Sequence, residues 1–389
     1  MRLAILGSRG IPALYGGFET FAEELSTRLV KEGAEVTVYC EAGEGEQPET
    51  YQGVNLVHIP APKLGPFTTI LFDLLCLWHA RKAFDVVYML GYGTSIFCFI
   101  PRLWGTTVLI NMDGVEWARS KWGRLAKLWF KMMEAIAMWT PDLLIADAEG
   151  ILQHLQSRHF HLPPVRVIPY GAPVIDEVPD VDLLNEWHLT AGQYYLIVCR
   201  LEPENSVREI LNGYLLSESR HPLVVVGSID SETSYVKELL QLHQDRIHFI
   251  GAVYDKVKLQ ALRYHSWVYF HGHTVGGTNP SLLEALGCGN IIIANDNVFN
   301  REVAGEVATF FEREQDLAER ILAVESYSLE RLNSMRAMAQ ERVKEAYSWN
   351  FITVSYFEMF NTCYTKEHVR VRLVKDAGHS SWIEKFMHT

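Results

Sequence analysis

WVYFHGHTVGGTNPSLLEALGCGNIIIANDNVFNRE, residues 267–302, reads as strand, loop, helix and strand in one unbroken run. Trp267 to Phe270 form a short apolar stretch that predicts a buried strand, and Ile291 to Ala294 predict a second. Between them Asn279 stands at an N-cap position and Pro280 at the first helical position. Leu282, Leu283, Ala285 and Leu286 form the helix body, and Gly287 and Gly289 stop it. The pair Gly276-Gly277 leaves backbone N–H groups unpaired ahead of the helix and places no Cβ in the way, so an anion can approach, and a phosphate is the expected guest. Glu284 follows one turn after Pro280 and points back to the same helix end. A carboxylate beside a phosphate repels it, so Glu284 is expected to accept hydrogen bonds from sugar hydroxyls, which suggests a nucleotide phosphate with its ribose. The competing reading is an ordinary strand-to-helix turn with Glu284 in solvent.

At 389 residues the chain exceeds what one hydrophobic core serves, so two domains are expected. A hydrophobic fraction of 48% with 21% charged residues is that of a globular protein, and a net charge of -12 argues against a nucleic-acid partner. Cys40, Cys76, Cys98, Cys199, Cys288 and Cys363 show no CxxC spacing and sit mostly in apolar runs, as buried reduced thiols of a cytoplasmic protein do. The chain opens directly on a strand, MRLAIL, without the pattern of a secretory signal. Phe67 to Trp78 is too short to span a bilayer and predicts a buried helix.

From the N-terminus, Leu3 to Leu6 predict a strand, GSRGIPALYGG a loop, Phe18 to Glu32 a helix, and Val36 to Cys40 the next strand. The loop lacks a GxGxxG fingerprint, but Gly16-Gly17 gives a second glycine pair ahead of a helix. Further strands are expected at Val54 to Ile59, Val86 to Leu90, Thr107 to Asn111, Leu143 to Ala146 and Val165 to Ile168. Strands alternating with helical patterns mean a doubly wound parallel sheet whose ligands sit beyond the carboxyl ends of the strands. The loops at those ends, GSRGIPALYGG, GYGTS, NMDGVEW, ADAEG and PYGAP, are rich in glycine and polar groups. Within NMDGVEW, Asp113 is a candidate for contacting sugar hydroxyls or the incoming nucleophile, against the alternative of a local Asp-Gly turn. The helix from about Gly123 to Trp139 mixes Arg124, Lys127 and Lys131 with large apolar side chains, which suits an anionic membrane surface or a domain helix with a basic outer stripe. Residues 172–187, APVIDEVPDVDLLNEW, read as a linker, a setting that speaks against a metal role for its DxD triplet Asp180-Val181-Asp182. A second alternating set follows, with strands at Tyr195 to Cys199, Leu223 to Val226 and Ile247 to Ile250 before the two already described. Arg200 closes the first of these, where its cation can reach the cleft or pair with Glu202 or Glu204. The tail reads as helical from Gln315 to Tyr364 with a break at Tyr347 to Asn350, and the stretch from Lys366 is polar.

Arg200, the 271–284 loop and Gly16-Gly17 together resemble the retaining nucleotide-sugar glycosyltransferases of family 4. Their signature has a Lys where this chain has Asn205, and a first Glu where it has Gly276. CRLEPEN, FHGHTVGGTNPSLLEAL, FNREV, GSRGIPALYGGFET and NMDGVEWARSKW resemble a bacterial branch that includes β-1,4-rhamnosyltransferases of capsule and cell-wall polysaccharide assembly. The resemblance implies a GT-B fold: two Rossmann-like, doubly wound α/β domains facing a central cleft, with a C-terminal helix crossing back. The expected divisions are 1–172 for the acceptor side, 173–345 for the donor nucleotide, and 346–389 for the cross-over helix and tail. It further implies that Arg200, Asn205, Gly276, Gly277, Thr278, Asn279, Gly16 and Gly17 bind the donor diphosphate, that His273 donates to it, and that Glu284 holds the nucleoside sugar. Asp113 stands near the transferred sugar, and Asp113, Arg200 and His273 are the catalytic candidates. No cofactor or metal is expected beyond the nucleotide-sugar co-substrate. The implied reaction moves a deoxyhexose, L-rhamnose from dTDP-rhamnose, to a lipid-linked glycan at the cytoplasmic face of the membrane. A donor such as UDP-glucose, a nucleotide-sugar epimerase and a non-catalytic sugar-binding scaffold are the alternatives.

Overall fold

A computed structural model describes residues 1–365 except 14–15, 44–46, 66, 230–232 and 243–244, so Leu14 and Tyr15 of the first loop and the tail from Lys366 lie outside the described residues. Fourteen strands form two sheets among them. The first sheet holds β1 (Arg2–Leu6), β2 (Glu35–Glu41), β3 (Thr50–Tyr51), β4 (Val54–Ile59), β5 (Val86–Leu90), β6 (Thr107–Asn111), β7 (Leu143–Ala146) and β8 (Val165–Val167), in the order β3-β4-β2-β1-β5-β6-β7-β8. The second holds β9 (Tyr195–Val198), β10 (Leu223–Val226), β11 (Ile247–Gly251), β12 (Val268–His271), β13 (Ile291–Asn295) and β14 (Ala308–Phe311), in the order β11-β10-β9-β12-β13-β14. Every pairing is parallel except β3 with β4. Strands β5 and β6 are buried at every position, because helices cover both faces and leave no polar alternation.

Helices α1 (Gly17–Lys31), α2 (Phe67–Ala80), α3 (Phe99–Arg102), α4 (Arg124–Ala137) and α5 (Glu149–Arg158) belong to the first lobe. The second lobe carries α6 (Val207–Ser217), α7 (Ser234–Gln241), α8 (Lys256–His265), α9 (Pro280–Gly287), α10 (Val298–Ala304), α11 (Glu314–Glu325) and α12 (Leu329–Ala346). Strand order reverses between β1 and β5 in one sheet and between β9 and β12 in the other, and the loops that leave these strands open the crevices where such sheets take ligands. In the second sheet these loops carry Arg200 and His273.

The tail returns to the first lobe. Residues 349–365 are helical (α13), and Tyr356 and Phe360 pack on Tyr88 of β5, with the Tyr88 and Tyr356 hydroxyls 3.1 Å apart. Trp349 and Tyr356 also meet Phe21 of α1. Two chain crossings run side by side here, joined by Ala172 N donating to Tyr347 O at 2.8 Å.

Two expectations need correction, and two strands had none. The tail is three helices rather than one with a single break, because Ser328 caps α12 by accepting from Arg331 N and so separates it from α11. Strands β3 and β14 had no clear signal: β3 has two residues, and β14 is a four-residue stretch, ATFF, set between helical patterns. Helix α2 is not buried all round: Phe72, Asp73, Cys76, Leu77 and Ala80 face inward, while Phe67, Leu75 and Trp78 are 66%, 38% and 50% exposed.

Candidate active site

Asn279 caps α9 as its sequence position suggests, with Oδ1 accepting from Ser281 N at 2.9 Å and Pro280 opening the helix. Gly276 has φ +110°, a backbone state that side chains disfavour. The loop in front of α9 meets the first lobe on several sides. A Cβ on Gly17 would lie 3.9 Å from Pro280 Cγ, and one on Gly114 would lie 3.2 Å from Gly276 Cα. Both glycine pairs and the Asp113 loop therefore converge on one interlobe crevice.

The anion on the α9 loop is a carboxylate from the opposite lobe. Asp147, fully buried after β7, accepts from Thr278 N at 2.9 Å through Oδ2, and its backbone carbonyl accepts from the Thr278 hydroxyl. Only glycine fits at 277, since a Cβ there would lie 2.0 Å from Asp147 Oδ1. A reciprocal contact runs the other way: Glu302 of α10 accepts from Glu149 N at 2.6 Å and Gly150 N at 3.0 Å, capping α5 in the first lobe. Glu204 adds a third link, accepting from Ser120 Oγ at 2.7 Å. On the first lobe the other predicted anion site is also covered, because Glu19 folds over Gly16 and accepts from Arg9 N at 3.1 Å.

Asp147 was not singled out from sequence, whereas Asp113 was, and the two carboxyl groups face each other. Burial and then the neighbouring Asp113 push Asp147 well above the usual carboxylate range, and Asp113 is raised by burial and then by Glu116. Such a pair binds a proton between its members more readily than either would alone. Tyr170 donates to Asp113 Oδ1 at 3.0 Å and holds it in place.

Asn205 and His273 behave differently from expectation. Asn205 Nδ2 donates to Arg200 O at 2.7 Å, which turns its Oδ1 toward His273 Nδ1 at 2.8 Å. Nδ1 must then carry the proton, leaving Nε2 as a lone pair near Gly276. Burial, with Arg119 and Arg200 nearby, pushes His273 down to about 4, so the ring is neutral near pH 7. The expectation that His273 donates to a phosphate is therefore corrected to an acceptor, and Asn205, through one N–H and its carbonyl oxygen, positions His273 and the Arg200 backbone. Arg200 itself is 45% exposed and lies 3.7 Å from Glu202, too loosely paired to be fixed there. Arg119 pairs with Glu116 at 2.9 Å, and Lys121, lowered chiefly by burial, lies near Arg200 and Glu202.

Glu284 is neither free nor in open solvent. Its carboxylate meets Arg263 Nη2 at 2.6 Å, and that guanidinium is 7% exposed inside the lobe. Burial opposes the Arg263 charge, and Glu284, Tyr269 and Cys288 together outweigh it, so the guanidinium is held above its ordinary value. Asp180 serves as an N-cap, accepting from Asp182 N at 3.0 Å, which gives the DxD triplet a local structural role. Among the described residues no group of three or more His, Cys, Asp or Glu side chains is arranged to hold a metal ion.

A cavity of about 130 Å³ opens beside the first glycine loop, lined by Gly7, Ser8, Arg9, Glu19, Glu41 and the α2 residues Thr69, Phe72 and Asp73. Asp73 accepts from Thr94 Oγ1 at 2.8 Å and is raised to about 7, first by burial.

Residues 190–342 match the family model of glycosyl transferases group 1. The match falls within the C-terminal lobe. Residues 1–173 match a domain of unknown function, DUF1972. Sucrose-phosphate synthase from Thermosynechococcus elongatus is similar to the chain at 16% identity and a TM-score of 0.78, over 94% of this chain and 99% of that one. Anabaena HepE in complex with UDP-glucose is similar at 14% identity and a TM-score of 0.72, over 93% and 100%. An alpha,alpha-trehalose-phosphate synthase (UDP-forming) from Burkholderia vietnamiensis is similar at 10% identity and a TM-score of 0.70, over 93% and 100%. No curated protein matches the chain. At these identities the likeness establishes the architecture, which is the GT-B fold with its two facing lobes. The group 1 lobe thus supplies the α9 loop, Arg200, His273 and Glu284, and the DUF1972 region supplies Gly16-Gly17, Asp113 and Asp147.

Proposed function

We propose that the chain is a retaining glycosyltransferase that moves a deoxyhexose, L-rhamnose from dTDP-rhamnose, to a lipid-linked oligosaccharide at the cytoplasmic face of the membrane. The observation that carries a transferase reading is the meeting of both glycine loops and Asp113 at the start of α9, with Arg200, Arg119 and Lys121 around it. The motif resemblance carries the rhamnosyl donor. In this reading the donor diphosphate lies on the Gly276 to Thr278 backbone with Arg200 closing over it, Glu284 and its partner Arg263 set the nucleoside end, and Gly16-Gly17 covers the far side. The acceptor hydroxyl attacks the anomeric carbon, the bond to the diphosphate oxygen breaks, and the acceptor proton leaves with the diphosphate. Fixed cations and backbone N–H groups stabilise that leaving group, so catalysis rests on positioning and charge rather than on a protein nucleophile.

The lipid side is supported by surface chemistry. Leu125, Leu128 and Met132 of α4 are 85%, 60% and 47% exposed on one stripe beside Arg124, Lys127 and Lys131. No helix of the described residues is long and apolar enough to cross a membrane, so contact would be peripheral. Thermal shifts across a panel of nucleotide sugars test the donor: dTDP-rhamnose should give the largest shift, and a larger shift with UDP-glucose overturns the rhamnosyl assignment. Arg200→Ala should lower turnover at least about tenfold, the loss of one charge-assisted contact, while its melting temperature stays at the wild-type value. Unchanged turnover removes Arg200 from the site.

A further inference from the structure

Asp147 presents an anion at the one place where the proposed donor needs its own. Its Oδ2 takes the Thr278 N–H at 2.9 Å, while its Oδ1 has no N–H or O–H partner among the described residues. The contact spans 131 residues and joins the lobes, and the glycine at 277 leaves the carboxylate room to sit there. A diphosphate oxygen on the same N–H cannot coexist with this carboxylate, since two anions would share one donor in a buried setting. We propose that Asp147 is a gate on the donor site: its carboxylate holds Thr278 until a diphosphate displaces it, and the released group takes one proton from solvent, keeps it, and donates the resulting O–H in a hydrogen bond to Asp113. This rests on the donor reading given above.

The surroundings favour uptake over release. Asp147 faces Asp113 from the loop after β6, Glu302 from α10, Tyr170 from the loop after β8, Tyr88 from β5 and Tyr356 from α13. Behind Asp113 stand Glu116 and the cation Arg119. Thr278 N–H is the first of two backbone contacts that favour the charged form of Asp147, the other being its own N–H, so losing it to a diphosphate while gaining a negative neighbour drives protonation. Asp113, already close, is the acceptor for the resulting O–H, and burial raises the proton affinity of both groups.

Calorimetric titration of the full chain with dTDP and with UDP, repeated at pH 8 in two buffers of different ionisation enthalpy, counts the protons directly. At that pH the nucleotide's own phosphate, with a second pKa near about 6, brings no proton. Wild type should take up about one proton per nucleotide bound. Asp147→Asn should take up none and bind roughly tenfold tighter, because its amide does not repel the diphosphate. Binding without uptake in wild type, or equal uptake in the Asn variant, overturns the gate and leaves the donor reading standing. The wild-type count decides the matter even if the variant fails to fold. Binding of neither nucleotide overturns the donor reading and the gate with it. A role as a mere strut between lobes would weaken binding in the variant without moving the proton count.

Discussion

Glu284→Ala should cost stability before it costs activity. Removing the carboxylate leaves the Arg263 guanidinium, 7% exposed, with the neutral hydroxyls of Ser281, at 3.3 Å from Nη2, and Tyr269, and with no partner on Nε among the described residues. Breaking a buried ion pair from one side costs about 3–5 kcal/mol. Glu284 is 32% exposed, so water softens the loss, and about 2–3 kcal/mol is expected. For a lobe of this size each kcal/mol shifts the melting temperature by about 2–4 °C, which gives a fall of roughly 4–12 °C. Glu284→Gln keeps an acceptor for the guanidinium and should lose about half as much. Replacing both partners, Arg263→Met with Glu284→Leu, should recover most of the loss, because no charge is then stranded. Thermal unfolding followed by tryptophan fluorescence on the four proteins reads this out. An Ala variant that melts with wild type, or a double variant as unstable as the single, would refute the view that the pair is a buried electrostatic unit. A Gln variant that melts near wild type yet loses nucleotide affinity isolates the sugar contact from the structural one.

Glu134, 1% exposed, gathers His154 Nε2 at 3.3 Å, Trp117 Nε1 at 2.7 Å and His159 Nε2 at 3.0 Å, with Arg158 Nε at 3.1 Å beside them, and His154, Trp117 and His159 hold its carboxyl down at about 2 against burial. A depressed carboxyl stabilises above its ordinary value of 4.5 and loses that contribution as pH falls toward 2, a change of roughly 3 kcal/mol. Glu134→Gln should therefore be less stable than wild type at pH 7, and the gap in urea midpoint should close on acidification to pH 2. Gly277→Ala would drive a Cβ into the Asp147 carboxylate at 2.0 Å, so the lobes should separate and nucleotide affinity should drop at least about tenfold, measured by calorimetry alongside small-angle scattering. Leu125→Glu with Leu128→Glu should abolish cosedimentation with vesicles of equimolar phosphatidylglycerol and phosphatidylcholine, while wild type binds and is released by salt. Vesicle binding that survives the double change would remove α4 from the lipid surface.

Local chemistry was legible where a residue's role depends on its neighbours in sequence. The apolar runs of β5 and β6, the Asn279-Pro280 opening of α9 and the left-handed Gly276 all follow from spacing and side-chain type. Partners brought together by folding were not legible. Arg263 lies 21 residues before Glu284 on the inner side of α8, and nothing in KVKLQALRYH marks it as buried rather than solvated. Asp147 stood in a loop recognised as part of the binding edge, ADAEG, and its one signal was an acid at a strand end where helix capping would also explain it. The tautomer of His273 depends on the Arg200 carbonyl through Asn205, a relay across 73 residues.

Helix α2 joins two parts of the proposal that the sequence kept separate. Its inner side puts Thr69, Phe72 and Asp73 on the cavity beside Arg9 and Glu19, where carboxylates and a guanidinium can take the hydroxyls of an acceptor sugar. Its outer side shows Phe67, Leu75 and Trp78, and Trp78 stands edge-on to Trp104 with Arg81 stacked 4.2 Å from its centroid. Arg102 of α3 then donates to Thr140 O at 2.9 Å, next to Trp139 at the end of α4, so the exposed faces of α2, α3 and α4 adjoin. Tryptophans paired with cations suit the headgroup level of a bilayer. One helix thickness therefore separates that surface from the cavity, about 10 Å, a distance that the proposed lipid-linked glycan would span while its lipid stayed in the bilayer.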